Sequence, residues 1–198
     1  MHYEPERTSV PEGGLHLSQI EQILLAKQLL PVDTQLVVRE HPSQLSPALQ
    51  GTRGRSPEFY GLVTRDFGLV LDSETDIASL VGGARCVFTG TGNVAIEAAL
   101  AGVPVVYFGT PWWAGMPGSV SYSSLAHGDS LSELFSLTAS VAEVVAFLRQ
   151  RTFTNSVPGG ASETTKELRK RFGPLPDDFE HVAADHILRL IRDRVTAE

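Results

Sequence analysis

The sequence is expected to fold as a three-layer α/β/α domain built around a mainly parallel sheet. Three observations lead there. Short, wholly apolar runs recur along the first half of the chain. Segments with apolar residues at helical spacing separate them. Polar, glycine-bearing clusters follow each apolar run directly. Runs that are apolar throughout, rather than alternating, imply burial on both faces, as in a parallel sheet covered by helices. Strand and helix in regular alternation imply a doubly wound arrangement.

The elements follow in order. Ser18-Gln19-Ile20-Glu21 has the form of a capping box, with Ser18 at the cap and Glu21 reaching back. Ile20, Ile23, Leu24 and Leu30 then form an apolar stripe that Pro31 ends. Leu36-Val37-Val38 reads as a strand. Ser56-Pro57 starts a helix, with proline at its first position, and Phe59, Tyr60, Leu62 and Val63 supply its buried side. Leu69-Val70-Leu71 is the next strand. Ser73 to Asp76 opens a helix carrying Ile77, Leu80 and Val81. Cys86-Val87-Phe88 is a strand, Asn93 to Leu100 a helix, and Val103 to Phe108 a strand. Residues 109 to 131, rich in Gly, Pro and Ser, read as one long loop, and long loops in compact domains are often functional. Ser140 and Glu143 cap a helix containing Val144, Val145, Phe147 and Leu148. Residues 153 to 162 look like a flexible connection. A final helix is expected from about Asp177 to Val195. The 198 residues suit one domain, 1 to 198, with room for a real core.

Composition removes several function classes. Hydrophobic residues are 42% and charged residues 20%, an ordinary globular balance. A formal net charge of −7 argues against a broad nucleic-acid-binding surface, though not against a small basic pocket for phosphate. The single cysteine, Cys86, excludes a disulfide framework within the chain and reads as a small buried hydrophobe. No apolar run approaches the roughly 20 residues that span a bilayer. The polar opening His2 to Arg7 does not read as a signal peptide. A cytoplasmic location is expected, with contact at the inner membrane surface left open. The six histidines are scattered, and no His-x-x-x-His or Cys-x-x-Cys spacing suggests a metal. No Walker-type lysine and no Gly-x-Ser-x-Gly elbow is present.

In doubly wound sheets, ligands bind outside the carboxyl ends of the strands. Four clusters stand there: Arg39-Glu40-His41-Pro42, Asp72-Ser73, Thr89-Gly90-Thr91-Gly92-Asn93, and Gly109-Thr110-Pro111-Trp112. They are expected to line one sheet edge. The glycines of the Thr89 cluster let backbone N–H groups approach a ligand, and a helix start follows, so a phosphate fits. Thr89 and Thr91 add hydroxyls, and Asn93 is a ligand contact or the helix cap. Glu97, one turn on, can accept both hydroxyls of a ribose. A plain turn needing glycine for backbone reasons stays open beside this reading. His41 can donate to a phosphate or act as a general acid, or be a partly buried histidine held by backbone. Pro42 fixes the chain direction. Alternation along the strand sends one of Arg39 and Glu40 toward the cleft. Arg53 and Arg55 could neutralise a diphosphate or lie on a solvated loop. Trp112 and Trp113 could cover a base or a sugar, or anchor the loop. His2, Glu4 and Glu6 lie near the start, where a Glu-x-Glu pair could hold a metal or a base.

The order Arg39-Glu40-His41-Pro42, Phe59-Tyr60, Thr89-Gly90-Thr91, Glu97-Ala98-Ala99, Gly102-Val103-Pro104 and Phe108-Gly109 resembles the bacterial capsule and surface polysaccharide biosynthesis glycosyltransferases of GT-B architecture. His2-Tyr3-Glu4-Pro5-Glu6 and Gly13-Gly14 look like the start of that family's carboxyl-terminal domain. The similarity covers roughly residues 2 to 112. It implies one Rossmann-like half of a two-domain enzyme, the half that binds a nucleotide-sugar donor, most naturally a CMP- or UDP-sugar. His41 and Pro42 would contact the nucleotide phosphate, Thr89 and Thr91 would line the turn, and Glu97 would hold the ribose. No separate cofactor is implied. A glycan acceptor would be taken by an amino-terminal domain, and the chain begins at what corresponds to the end of the carboxyl-terminal domain's first strand. Glu4 departs from the pattern, which has an amide there. UDP-sugar 2-epimerases share the layout, and a non-catalytic binding or assembly module, including a homo-oligomer, fits the same elements.

Overall fold

The computed structural model describes residues 1, 3, 14, 16, 18–46, 55–126, 131–155, 185 and 188–189. The fold is α/β, with two small sheets that are parallel throughout. The chain divides into two compact units, Met1–Val145 and Ala146–Glu198.

Helix α1 spans Gln19–Leu29. Ser18 caps it, its Oγ accepting from the Glu21 N–H at 3.4 Å. The reciprocal half of the expected capping box is not made. The Glu21 carboxylate meets His16 Nδ1 at 3.3 Å instead, an imidazole partner two residues before the cap. Strand β1, Val37–Arg39, pairs in parallel with β2, Val70–Asp72. Between them lie a short 3-10 turn at Pro42–Leu45 and helix α2, Pro57–Gly61, which widens into a π-helical turn at Leu62–Asp66. Proline stands at the first position of α2 as expected, but Ser56 makes no side-chain cap bond to its backbone.

Helix α3, Ile77–Gly83, is capped by Asp76, which accepts from Ser79 N–H at 3.0 Å. Strand β3, Val87–Thr89, leads to α4, Val94–Leu100, and then to β4, Val105–Tyr107. The 109 to 131 stretch is not one loop. It supplies β5, Ser119–Ser121, a third parallel strand beside β4, followed by α5, Tyr122–Ala126, while Leu131 begins α6, Leu131–Ser136. Ser119-Val120-Ser121 lacks the apolar run that marks the other strands, so its pairing comes from the neighbouring β4 backbone rather than from its own pattern. Helix α7, Val141–Asn155, opens on a complete capping box. Ser140 N–H donates to Glu143 Oε2 at 2.8 Å, and Glu143 N–H donates to Ser140 Oγ at 3.2 Å. It continues to Asn155, into the segment expected to be a flexible connection. Of the helix expected at 177–195, Asp185, Leu188 and Arg189 are helical, and the rest lies outside the described residues.

Among the described residues, two apolar clusters are seen in the first unit. Ile23, Val38 and Val63 form one, with Ile20, Phe59, Leu69 and Leu71 against it. Val106, Leu125 and Leu134 form the other, with Leu29, Phe88 and Val120 around it. Helix α1 thus lends its first turns to the β1–β2 side and its end to the β3–β4–β5 side. Burial on both strand faces holds for Val105 and Val106 in β4. It fails for β1 and β2, where the register partners Val37 and Val70 are 39% and 45% exposed. In the two-stranded sheet, alternation leaves one face against the Ile23 cluster and turns the other outward.

Candidate functional site

The expected single edge is two edges, one per sheet. Within each sheet the parallel register puts the strand ends side by side. Arg39 stands opposite Asp72, and Thr89, Tyr107 and Ser121 stand in one row.

At the first edge, most of the charge is consumed within the protein. Glu40 is 1% exposed and accepts from three donors: His41 N–H at 2.7 Å, Arg55 Nε at 3.2 Å and Tyr60 hydroxyl at 3.0 Å. Arg55 also donates to Gln19 Oε1 at 3.1 Å and lies 4.3 Å over the Phe59 ring. An ion pair this deep survives only when its remaining hydrogen bonds are met, and here they are. Arg55 is therefore a structural cation and not a phosphate ligand. Burial and the neighbouring Glu40 charge push the Tyr60 hydroxyl up to about 12. Arg39 Nη1 lies 3.3 Å from Asp72 Oδ1 with both side chains mostly covered, and that nitrogen is buried without a well-formed hydrogen bond. The Asp72 carboxyl is held below its ordinary value, first by the Thr75 hydroxyl, which donates at 2.6 Å, and less by Arg39.

Among the described residues of this edge, His41 keeps a ring nitrogen without a partner. It caps the 3-10 turn, its Nδ1 accepting from Ser43 N–H at 3.1 Å. A backbone N–H can only donate, so Nδ1 must carry the lone pair. The neutral ring then bears its proton on Nε2, a donor. Pro42 opens the turn and makes that cap possible. The Tyr3 ring lies beside His41 with centroids 6.0 Å apart.

The second edge carries no formal charge in its strand-end clusters. Thr89 Oγ1 accepts from Gly92 N–H at 3.3 Å, so one backbone donor of the turn is used internally. Gly90 is buried, Thr91 and Gly92 are half-buried, and Asn93 is exposed and makes no side-chain cap bond. The left-handed glycines are Gly14, Gly68, Gly102, Gly109, Gly115 and Gly118. Gly90 and Gly92 are not among them. Neither position takes the left-handed conformation that would by itself demand glycine. Helix α4 has only seven residues, so its dipole adds little, and the turn's own backbone is what a ligand would meet. Glu97 is exposed in the first turn of α4.

The next strand end is ringed by aromatics. Phe108 is 1% exposed, and its N–H donates to Thr89 O at 3.0 Å, joining the two strand ends. Trp113 is fully buried, edge-on to Tyr107 at 5.2 Å, while Trp112 is 54% exposed. The tandem tryptophans thus split: one anchors the turn and the other faces out. His16 packs edge-on against Phe108 and Tyr122 at 5.6 and 5.3 Å. Sequence reading did not find it, because nothing local distinguishes a histidine ahead of a helix cap from a surface residue.

His2, Glu4, Glu6 and Arg53 lie outside the described residues. Among the described residues no group of His, Cys, Asp or Glu could hold a metal, and no helix is long and apolar enough to cross a membrane. No family model matches the chain, and no curated protein or solved structure matches it.

Proposed function

We propose that this chain binds the nucleotide-sugar donor of a glycosyltransferase for capsule or surface polysaccharide. The observation that carries the reading is the Thr89–Asn93 turn. It follows β3 at a parallel strand end, where α/β sheets place ligands, and its glycines at 90 and 92 are not left-handed. Removing side chains there lets a phosphate reach backbone N–H groups. His41 Nε2–H supplies a further donor to the phosphate, and Glu97 accepts from the ribose. Trp112 offers an aromatic face to the base or the sugar. Donors aimed at the phosphate stabilise the charge that develops as the nucleotide departs. The acceptor glycan is taken by a further domain.

Calorimetry with CMP, UDP and GDP tests this. One of them is expected to bind in the micromolar-to-millimolar range, with His41→Ala and Glu97→Ala each weakening it about 10-fold or more, the size of a hydrogen bond to a charged partner. Silence toward all three at millimolar concentration overturns the reading.

A further inference from the structure

His16 is held over the uncharged edge by partners from three directions. Glu21 on α1 lies against Nδ1 at 3.3 Å. Gln22 on the same helix donates to the His16 carbonyl at 2.6 Å. Phe108 after β4 and Tyr122 at the start of α5, themselves stacked at 5.0 Å, wall the ring edge-on. Gly14, two residues earlier, comes close to Gly109, and both glycines are left-handed, so the segment can cross the strand ends closely. Phe108 is bonded through its backbone to Thr89, which places this ring wall one residue from the turn.

The chemistry of the pair fixes the tautomer. An ionised carboxylate only accepts, so Nδ1 must be the N–H, and the lone pair of the neutral ring sits on Nε2. That is the reverse of His41, whose Nε2 donates. Nε2 of His16 has no partner among the described residues, and the side chain keeps 20% exposure. A histidine oriented through one nitrogen by a carboxylate, with the other nitrogen bare, is the arrangement of a general base. Among the described residues, the titratable groups facing it are Glu21 and Tyr122, while Phe108, just after β4, is neutral.

We propose that His16 is the general base of this edge, taking the proton of the hydroxyl that attacks a sugar held beside the Thr89 turn. Nε2 gains the proton as the hydroxyl oxygen bonds to the anomeric carbon. The bond from that carbon to the donor's phosphate oxygen breaks, and its electron pair leaves with the nucleotide. This inference rests on the donor-binding reading above.

Two measurements on the full chain test it. Long-range proton–nitrogen NMR is expected to find neutral His16 protonated on Nδ1 and neutral His41 on Nε2, with Glu21→Gln abolishing the preference at His16. His16→Asn keeps a donor toward Glu21 but removes the base. Its affinity for the nucleotide is expected within about twofold of the parent, with turnover of the bound nucleotide-sugar to water down about 100-fold or more. A neutral His16 protonated on Nε2 overturns the inference and leaves nucleotide binding standing. So does turnover in His16→Asn within threefold of the parent, or a parent that binds the nucleotide-sugar without turning it over. Failure of the parent to bind any nucleotide overturns both.

Discussion

The two carboxyl edges of the first unit are made of different material. Arg39, Glu40 and Asp72 give the β1–β2 edge its charge, yet Glu40 is locked to Arg55 and Tyr60, and Arg39 faces Asp72. The β3–β4–β5 edge offers hydroxyls, glycines and rings, with a single carboxylate–histidine pair laid across it. Charge density is thus a poor guide to which edge leaves polar groups unspent. A buried ion pair is costly to leave incomplete, so the first edge spends its charge on holding β1 to the α2 segment. The uncharged edge keeps backbone groups and Trp112 within reach.

The largest test of that contrast breaks each edge at its most buried member. Glu40→Ala leaves Arg55 as an uncompensated buried cation and should cost about 3–5 kcal/mol. Trp113→Ala should cost about 3–5 kcal/mol through the cavity it leaves. Trp112→Ala, beside it, should change stability by less than about 0.5 kcal/mol. Denaturant unfolding measures all three, and equal losses for the two tryptophans would remove the division of labour between them.

Cys86 sharpens the contrast next. It leads into β3, and burial pushes its thiol up to about 11 from 9. Its thiolate fraction at pH 8 should be about 100-fold below that of an ordinary cysteine. Alkylation of the folded chain is expected to be correspondingly slow and to recover in denaturant. Rapid modification of the native chain would mean that the amino end of β3 is open where the structure has it covered.

The smallest effect is at Asp72. Its folded-state pKa lies below the ordinary value, so its contribution to stability is present above the ordinary carboxylate range and is lost as pH falls through the lowered value. Asp72→Asn should lower the neutral-pH midpoint slightly, leave the acid-pH midpoint near that of the parent, and so remove that acid-dependent loss. A large drop at neutral pH would place the Arg39–Asp72 pair in the same class as Glu40–Arg55.

Much of this was legible in the chain. Caps at Ser18 and Ser140, the proline at α2, and the apolar runs of β1 to β4 all carry local signals, because helix and strand periodicity are properties of near neighbours. The strand ends followed from the same pattern. Strand β5 was not legible, since Ser119 and Ser121 bring no strand-forming bias of their own. Nor was the fate of Arg55: a basic loop residue and a buried counter-ion look alike until Glu40, Gln19 and Tyr60 converge on it.

The sequence by itself determined the α/β class, the order of elements and the polar clusters that end the strands. Tertiary structure decided which of those polar groups are left for a ligand. It closed Glu40 and Arg55 into each other, buried Trp113 and exposed Trp112, and put Ser43 N–H against His41 Nδ1 and the Glu21 carboxylate against His16 Nδ1. The reason is physical. Backbone geometry is set by residues within a turn or two, whereas desolvation, ion pairing and tautomer choice depend on partners that only the packed fold brings within 3 to 4 Å.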